Sequence, residues 1–307
     1  MSSSDLSFIV PEELDGLRAD KGISEFYEEL SRSRISRLIK SGDISINGSV
    51  TEVDTRLKTG DKINILLPEN EIPDILPENI PLEILYEDED LIVVNKPKGM
   101  VVHPANGHLS GTLVNALMFH CHDLSGINGS LRPGIVHRID MDTTGALIVC
   151  KNDAAHIDIA KQLEEHSIKR LYRAIVRGGF KDDTGTIDAP IGRSTKDRKK
   201  MAVNVPNSKR AVTHYRVLER LRDYSYIECR LETGRTHQIR VHMAYINHPV
   251  LGDEVYSSAR SPFKTQGQTL HAYMSGFIHP RTKEYIEVIA PLPEYFTGIL
   301  DSLRARL

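Results

Sequence analysis

Apolar positions along the chain alternate between short runs with a period of two and stripes with a period near 3.6, so the pattern predicts strands and helices together. Ile35, Leu38 and Ile39 fall at i, i+3 and i+4 and predict a short helix over 31–40, with Arg34 and Arg37 off its apolar face and Arg32 near its start. Residues 42–48 alternate like a strand ending in an Asn-Gly turn, and 61–66 close as another. Helical spacing returns at 112–118 and 154–166, and strands are expected at 91–94, 171–176, 212–218 and 224–231. Residues 1–12 are Ser-rich and polar and are expected to form a loose tail. Pro68, Pro73, Pro77 and Pro81 stand among acids and mark a stiff linker. Two unequal domains follow, over 13–68 and 82–307, with the acidic Pro-rich linker at 69–81 between them.

One stretch breaks the apolar pattern in a way that a simple turn does not require. Between the runs Ile135-Val136 and 146–149 stand His137, Arg138, Asp140, Asp142, Thr143 and Thr144. Asp142-Thr-Thr-Gly145 alone is compatible with an ordinary Asx turn, and an Arg beside an Asp with a structural ion pair. A protein-kinase loop is excluded, because neither His-Arg-Asp nor a glycine-rich phosphate loop is present. An aspartic protease is excluded for want of a second Asp-Thr-Gly.

Charge changes the picture more than composition does. The net charge of -3 and pI of about 6.5 argue against a nucleic-acid partner, but the distribution argues for one. Residues 69–90 carry nine acids and no Lys or Arg, whereas residues 169–210 carry twelve Lys or Arg against four Asp. The two blocks nearly cancel, and the basic one can track a phosphate backbone. Its densest part, Arg193-Ser-Thr-Lys-Asp-Arg-Lys-Lys200, is expected in a loop between strands, with Arg193, Arg198, Lys199 and Lys200 as phosphate contacts. Three cysteines without a Cys-x-x-Cys pair suit a reducing compartment, and no apolar run approaches membrane-spanning length. The expectation is a cytoplasmic monomer with no metal and no membrane association.

The run His137-Arg-Ile-Asp-Met-Asp-Thr-Thr-Gly145 resembles the signature of the RluA-type pseudouridine synthases, with Ile139 in place of the usual leucine. Asn95-Lys-Pro-Lys-Gly99 resembles the family's first motif, and Glu232-Thr-Gly-Arg-Thr-His-Gln-Ile-Arg-Val-His242 its third. Gly252-Asp-Glu-Val-Tyr256 and Leu270-His-Ala272 follow in order, so the resemblance runs from Leu14 to Pro293. Residues 18–66 resemble the S-four-type RNA-binding domain through Arg18-Ala-Asp-Lys21, Ser31-Arg-Ser-Arg34 and 42–48. Ala19 and Gly22 stand where that family has large apolar residues, which predicts a loosely packed first helix.

The resemblance implies an α+β fold, with a mixed, largely antiparallel sheet and flanking helices in the catalytic domain. It implies an enzyme that isomerises uridine in RNA, most closely in large-subunit ribosomal RNA. Transfer RNA is the alternative substrate, and a non-catalytic ribosome-assembly factor or a hydrolase releasing uracil are the alternative functions. Isomerisation gains no atoms and exchanges no electrons, so no cofactor is expected. Asp140 is implied as the catalytic carboxylate, Tyr172 as the stacking partner of the uracil, and Arg240 as the guanidinium beside Asp140, with Arg235 as the alternative. Arg138 is implied to occupy the space of a flipped base, with His137 supporting its loop. Thr236 is expected to cap a helix carrying His237, Gln238 and Arg240, and to share a face with Arg240. Lys96 reads equally as a strand-end charge or as a contact to carboxylate or phosphate. Arg32, Arg34 and Arg37 complete the candidate RNA contacts.

Overall fold

Leu6, Phe8 and Val10 alternate with their neighbours, and that period of two outweighs the serines around it. In the computed structural model Ser4–Ile9 is a strand, β1, and not a loose tail. The structure describes residues 4–27, 30, 32–67, 75–104, 108–121, 123–127, 132–197, 200–258 and 261–306; the side chains of Ser4, Asp5, Ser33, Arg34 and Leu67, within these ranges, are not described. The chain forms two units, Met1–Asp74 and Ile75–Leu307.

In the first unit, β1 is followed by the helices α1 (Ala19–Phe26) and α2 (Arg32–Ser41), then by β2 (Ile44–Ile46), β3 (Ser49–Val50) and β4 (Lys62–Leu67). The sheet runs β1-β4-β2-β3 and is antiparallel throughout. Phe8 of β1 lies opposite Ile63 of β4, and Ile63 and Ile65 join Ile23, Ile35, Leu38 and Ile39 in one buried cluster. The first helix is not loosely packed. A Cβ on Gly22 would lie 2.5 Å from Leu57 Cδ1, so Leu57 occupies from across the core the space that a larger helix residue would take.

The second unit opens on residues that the prolines suggested were linker. Ile75 is buried in the core, the Asn115 side-chain amide donates to the Leu76 carbonyl at 2.9 Å, and Glu78 N–H donates to the Asn115 carbonyl at 2.9 Å. Residues 75–78 are therefore strapped to the helix that follows them. Then come β5 (Ile84–Glu87), β6 (Leu91–Lys96), α3 (Leu113–His120), β7 (Thr144–Cys150), α4 (Asp153–Glu164), β8 (Lys169–Arg177) and β9 (Thr184–Asp188). A small hairpin, β10 (Ile191–Arg193) and β11 (Met201–Val203), precedes β12 (Val212–Leu221), β13 (Tyr224–Leu231), α5 (Gln238–Tyr245), β14 (Leu270–Ile278), β15 (Tyr285–Ile289) and α6 (Glu294–Arg304). Among the described residues, no helix is long and apolar enough to cross a membrane.

The main sheet runs β5-β6-β7-β14-β8-β13-β12-β9, with β15 also paired to β14. Every pairing is antiparallel except β7 with β14, so the sheet is mixed and largely antiparallel, and the fold is α+β. Strands β6 and β7 are apolar on both faces because helices cover both. Ile92, Val94, Leu147 and Val149 pack with Leu113 and Leu117 of α3 and with Ile239 and Met243 of α5. Leu91, Val93, Ala146 and Ile148 face the other way, onto Ala155 and Ile159 of α4. At the parallel junction β7 and β14 come so close that a Cβ on Gly145 would lie 2.2 Å from the Ala272 carbonyl oxygen, and Gly145 has φ +110. No other residue fits there, which fixes where the polar loop before β7 meets the sheet.

Candidate active site

The polar loop is held from both sides before any of its side chains is considered. The Asp140 carbonyl accepts Thr143 N–H at 3.0 Å, and the Met141 carbonyl accepts Gly99 N–H at 3.1 Å and Lys96 Nζ at 2.8 Å. Ile139 turns into the core. His137 Nε2 accepts the Ile148 N–H at 2.9 Å, so this nitrogen is unprotonated and tied to β7. Burial, reinforced by the charge of Arg170, pushes the His137 pKa down to about 3. These ties leave Asp140 projecting from a rigid turn with its side chain 22 % exposed.

Across from it stands Arg240 on α5. Its Nη1 donates to Asp140 Oδ2 at 2.9 Å, while Nε and Nη2 donate to Oδ2 and Oδ1 of Asp253 at 2.6 and 3.0 Å. Asp253 is fully buried, and its Oδ1 also accepts the N–H groups of Val255 and Tyr256. Burial by itself would lower the Arg240 pKa, but the hydrogen bonds and charges of Asp253 and Asp140 outweigh it and raise the value. One guanidinium thus bridges two carboxylates, and its bidentate end fixes the direction of its free end. Asp253 was not singled out in the sequence. Its signal was the run Gly252-Asp-Glu-Val-Tyr256, noted only for its place in the order of the family's motifs.

Tyr172 lies on β8, paired with Cys229 of β13 and Ala272 of β14, and is 8 % exposed. Burial raises its pKa, and Asp140 adds to the shift against the opposing charge of Arg170, so the phenol is protonated at neutral pH. Asp140, Tyr172 and Arg240 line one cleft of about 480 Å³ together with His137, Arg138, Arg235 and His237. Leu231, Ile239 and Leu270 supply its apolar wall. The volume falls within the range of small-ligand sites. Thr236 lines an adjoining hollow that shares Asp140, Arg138 and Arg240.

Thr236 does not cap the helix. The residue before α5 is His237, in the left-handed region with φ 57, and no side chain of its own caps it. Gln238 does the work instead: its Oε1 accepts Arg235 N–H at 2.9 Å and the Thr233 hydroxyl at 2.8 Å. Thr236 is left outside the helix, where its hydroxyl accepts Arg138 Nη2 at 3.1 Å. His237 Nδ1 is hydrogen-bonded to the Tyr256 hydroxyl at 2.8 Å, and its Nε2 stands 3.9 Å from Asp140. Burial lowers the His237 pKa more than Asp140 raises it, so the ring is neutral at pH 7. Arg235, the alternative partner of Asp140, donates from Nε to the Arg210 carbonyl and is not its partner.

Lys96 is the clearest correction. It is fully buried, and its Nζ donates at 2.8 Å to each of three carbonyls, those of Pro97, Met100 and Met141. Burial pushes its pKa down to about 7, but each carbonyl needs one N–H and only the ammonium carries three. It pins the loop next to Asp140 and has no donor left for carboxylate or phosphate.

Of the basic-loop candidates that are described, Arg193 and Lys200 are not among the residues lining the cleft. Arg193 and Lys200 flank the loop of the β10–β11 hairpin as expected; Arg198 and Lys199 lie outside the described residues. The hairpin reaches the site through Tyr256, whose hydroxyl accepts Met201 N–H at 2.9 Å. In the first unit Arg37 is exposed, and Arg32 Nε pairs at 2.8 Å with Asp20, which Arg18 also holds at 3.1 Å. The Arg34 side chain lies outside the described residues.

A family model described as RNA pseudouridylate synthase matches residues 90–245. The chain is 52% identical over 293 residues to the uncharacterized RNA pseudouridine synthase YlyB of Bacillus subtilis (strain 168), covering 95% of this chain and 96% of that one. It is 48% identical over 294 residues to the ribosomal large subunit pseudouridine synthase D of Zymomonas mobilis, covering 92% of each. Among solved structures, human RNA pseudouridylate synthase domain containing 4 aligns with a TM-score of 0.57 at 26% identity, over 72% of this chain and 93% of that one.

Proposed function

Because the chain belongs to the RNA pseudouridylate synthase family, we propose that it converts uridine to pseudouridine in large-subunit ribosomal RNA, with Asp140 working at C1′ of the target nucleotide. The observation that carries this reading is the Asp140 carboxylate in a cleft with one apolar wall, held at 2.9 Å by a guanidinium that a buried second carboxylate has already oriented. The ribosomal substrate follows from relatives named as large-subunit enzymes.

The chemistry follows from the groups in place. Breaking the N1–C1′ bond sends its electron pair to the uracil and leaves oxocarbenium-like charge on the sugar. An ionised Asp140 beside C1′ stabilises that charge or adds to it. The uracil turns, C5 bonds to C1′, the C5 proton leaves and N1 gains one, so atoms and electrons balance. Tyr172 gives the base a flat apolar face and Arg240 keeps the carboxylate ionised and aimed. A uridine in folded RNA reaches such a cleft only when flipped out, at a cost of a few kcal/mol, and Arg138 at the rim is the cation placed to fill the vacancy. The first unit, with Arg32 and Arg37 on its surface, serves as an RNA-binding module of the S-four type.

Asp140→Asn tests the assignment. Asn keeps the shape but brings no negative charge to C1′. RNA carrying tritium at uridine C5 should lose it to water with wild type, without free uracil, and at least about 100-fold more slowly with the variant, while RNA affinity holds. Tritium release by the variant at the wild-type rate would sink the assignment, and free uracil would indicate a hydrolase.

A further inference from the structure

Within the proposed cleft one cation has no acceptor. Arg170, on β8, is 7 % exposed; its Nε is buried with no hydrogen-bond partner, and the guanidinium has no ion-pair partner among the described residues. Every other deep charge of the site is paired: Arg240 with Asp140 and Asp253, Lys96 with three carbonyls. A buried Nε–H without an acceptor is a cost to the empty protein, and the terminal nitrogens, which have no acceptor among the described residues either, open onto the cleft, so the group is placed to donate to a ligand atom.

Its place in the strand says which atom. Arg170 and Tyr172 are two residues apart on β8, so they share a face, about 7 Å apart along the strand. Both line the cleft. A ring stacked on Tyr172 therefore presents an edge toward Arg170. Arg138 is exposed and accessible to backbone phosphates, whereas Arg170 is 7 % exposed and is the cation better shielded from them. Gly234 makes room for it. A Cβ there would lie 2.8 Å from Arg170 Nη1, and Gly234 does not need glycine for its φ.

We propose that Arg170 is a catalytic residue that donates hydrogen bonds to a carbonyl oxygen of the target uracil and stabilises the anion formed as the N1–C1′ bond breaks. The electron pair that leaves with N1 spreads onto the carbonyl oxygens, so the interaction is stronger after bond breaking than before it, which is the condition for raising kcat. This rests on the pseudouridine synthase reading of the same cleft.

The test uses the full-length protein and tritium release under single-turnover conditions. Arg170→Met should melt at or above the wild-type temperature, because a buried unpaired charge is removed. It should bind RNA within about threefold of wild type and turn over at least about 100-fold more slowly. Gly234→Ala, which displaces the guanidinium without straining the backbone, should slow turnover in the same direction and add nothing in the double variant. RNA carrying 5-fluorouridine at the target, whose base is a better leaving group, should show a smaller loss when its rearrangement is followed chromatographically. Arg170→Met melting far below wild type would make the residue structural. Lost affinity with kcat retained would make it a phosphate contact, and an equal loss on the fluorinated RNA would remove leaving-group stabilisation. Wild-type protein that releases no tritium would instead overturn the underlying reading.

Discussion

Replacing Asp253 by Asn isolates the part of the site that the motifs did not announce. The new side chain keeps one oxygen for the Val255 and Tyr256 N–H groups, but an NH2 replaces the oxygen that accepts Arg240 Nε at 2.6 Å, so two donors face each other. Arg240 is 93 % buried as a side chain with Asp140 as its remaining counter-ion. Breaking a buried pair on one side costs about 3–5 kcal/mol. The retained backbone contacts place this variant at the lower end, roughly 3 kcal/mol, or a fall in Tm of about 6–12 °C for a unit of this size. Freed at its bidentate end, the guanidinium turns toward Asp140, and a displacement on the order of 1 Å is worth about 100-fold in rate. Calorimetry and single-turnover tritium release read the two effects on the same protein. A variant that melts and turns over like wild type would refute the claim that Asp253 orients Arg240.

Three further outcomes are expected. Tyr172→Phe keeps the stacking face, so RNA affinity should change less than about tenfold while turnover falls more; equal turnover would leave stacking as the residue's whole role. Arg138→Ala should slow folded RNA more than RNA whose target uridine is already unpaired, since only the former carries the flipping cost, and similar losses on both would remove the insertion role. His137→Gln keeps an acceptor for Ile148 N–H but does not titrate. His137 is neutral in the fold down to about pH 3, whereas the unfolded chain takes up the proton near 6.5. Its contribution is complete above the unfolded value and is lost as pH falls, amounting to about 2 kcal/mol by pH 5. The stability difference between wild type and variant should shrink by that amount from pH 7 to 5, as followed by urea unfolding; a constant difference would show that the ring titrates alike in the folded and unfolded chain.

What could be read from the sequence was what local chemistry dictates. The knot from His137 to Gly145 announced itself because charge and hydroxyls interrupted apolar strands, the run from Glu232 to His242 was marked by its resemblance to the family's third motif, and the structure brings Asp140 and Arg240 within 2.9 Å although they are 100 residues apart. Strand β1 was hidden because serines around it masked an alternation that only β4 completes. The strap at 75–78 was hidden because prolines say where a helix or sheet cannot be, not what the stiff segment lies against. Thr236 failed as a cap because Gln238 reaches back across the turn, a tertiary solution that residue preferences do not contain. Lys96 and Arg170 show the limit most directly. Both are basic residues near strand termini, and only burial separates the one enclosed by carbonyls from the one facing the cleft with nothing to donate to.

That separation by depth also organises the electrostatics of the site. A carboxylate that must stay ionised in a largely dry cleft needs a cation, but a cation free to swing would pair with the incoming phosphates instead. Asp253 removes that freedom by holding two of the three donor nitrogens of Arg240, so the third can serve only Asp140. His137 and His237, which line the cleft with the carboxylate, are both kept neutral by burial, His137 with its nitrogen on a backbone N–H and His237 on a tyrosine hydroxyl, so neither competes as a second cation. Among the described residues lining the cleft, Arg138 and Arg235 donate to a hydroxyl and a carbonyl rather than to a carboxylate, so with Arg170, on the proposal argued above, they are the positive charge the cleft itself offers to RNA. On that proposal Arg138 meets phosphate and Arg170 with Tyr172 meets the base, and Asp140, which lines the same cleft as all three, is the group left for the sugar carbon.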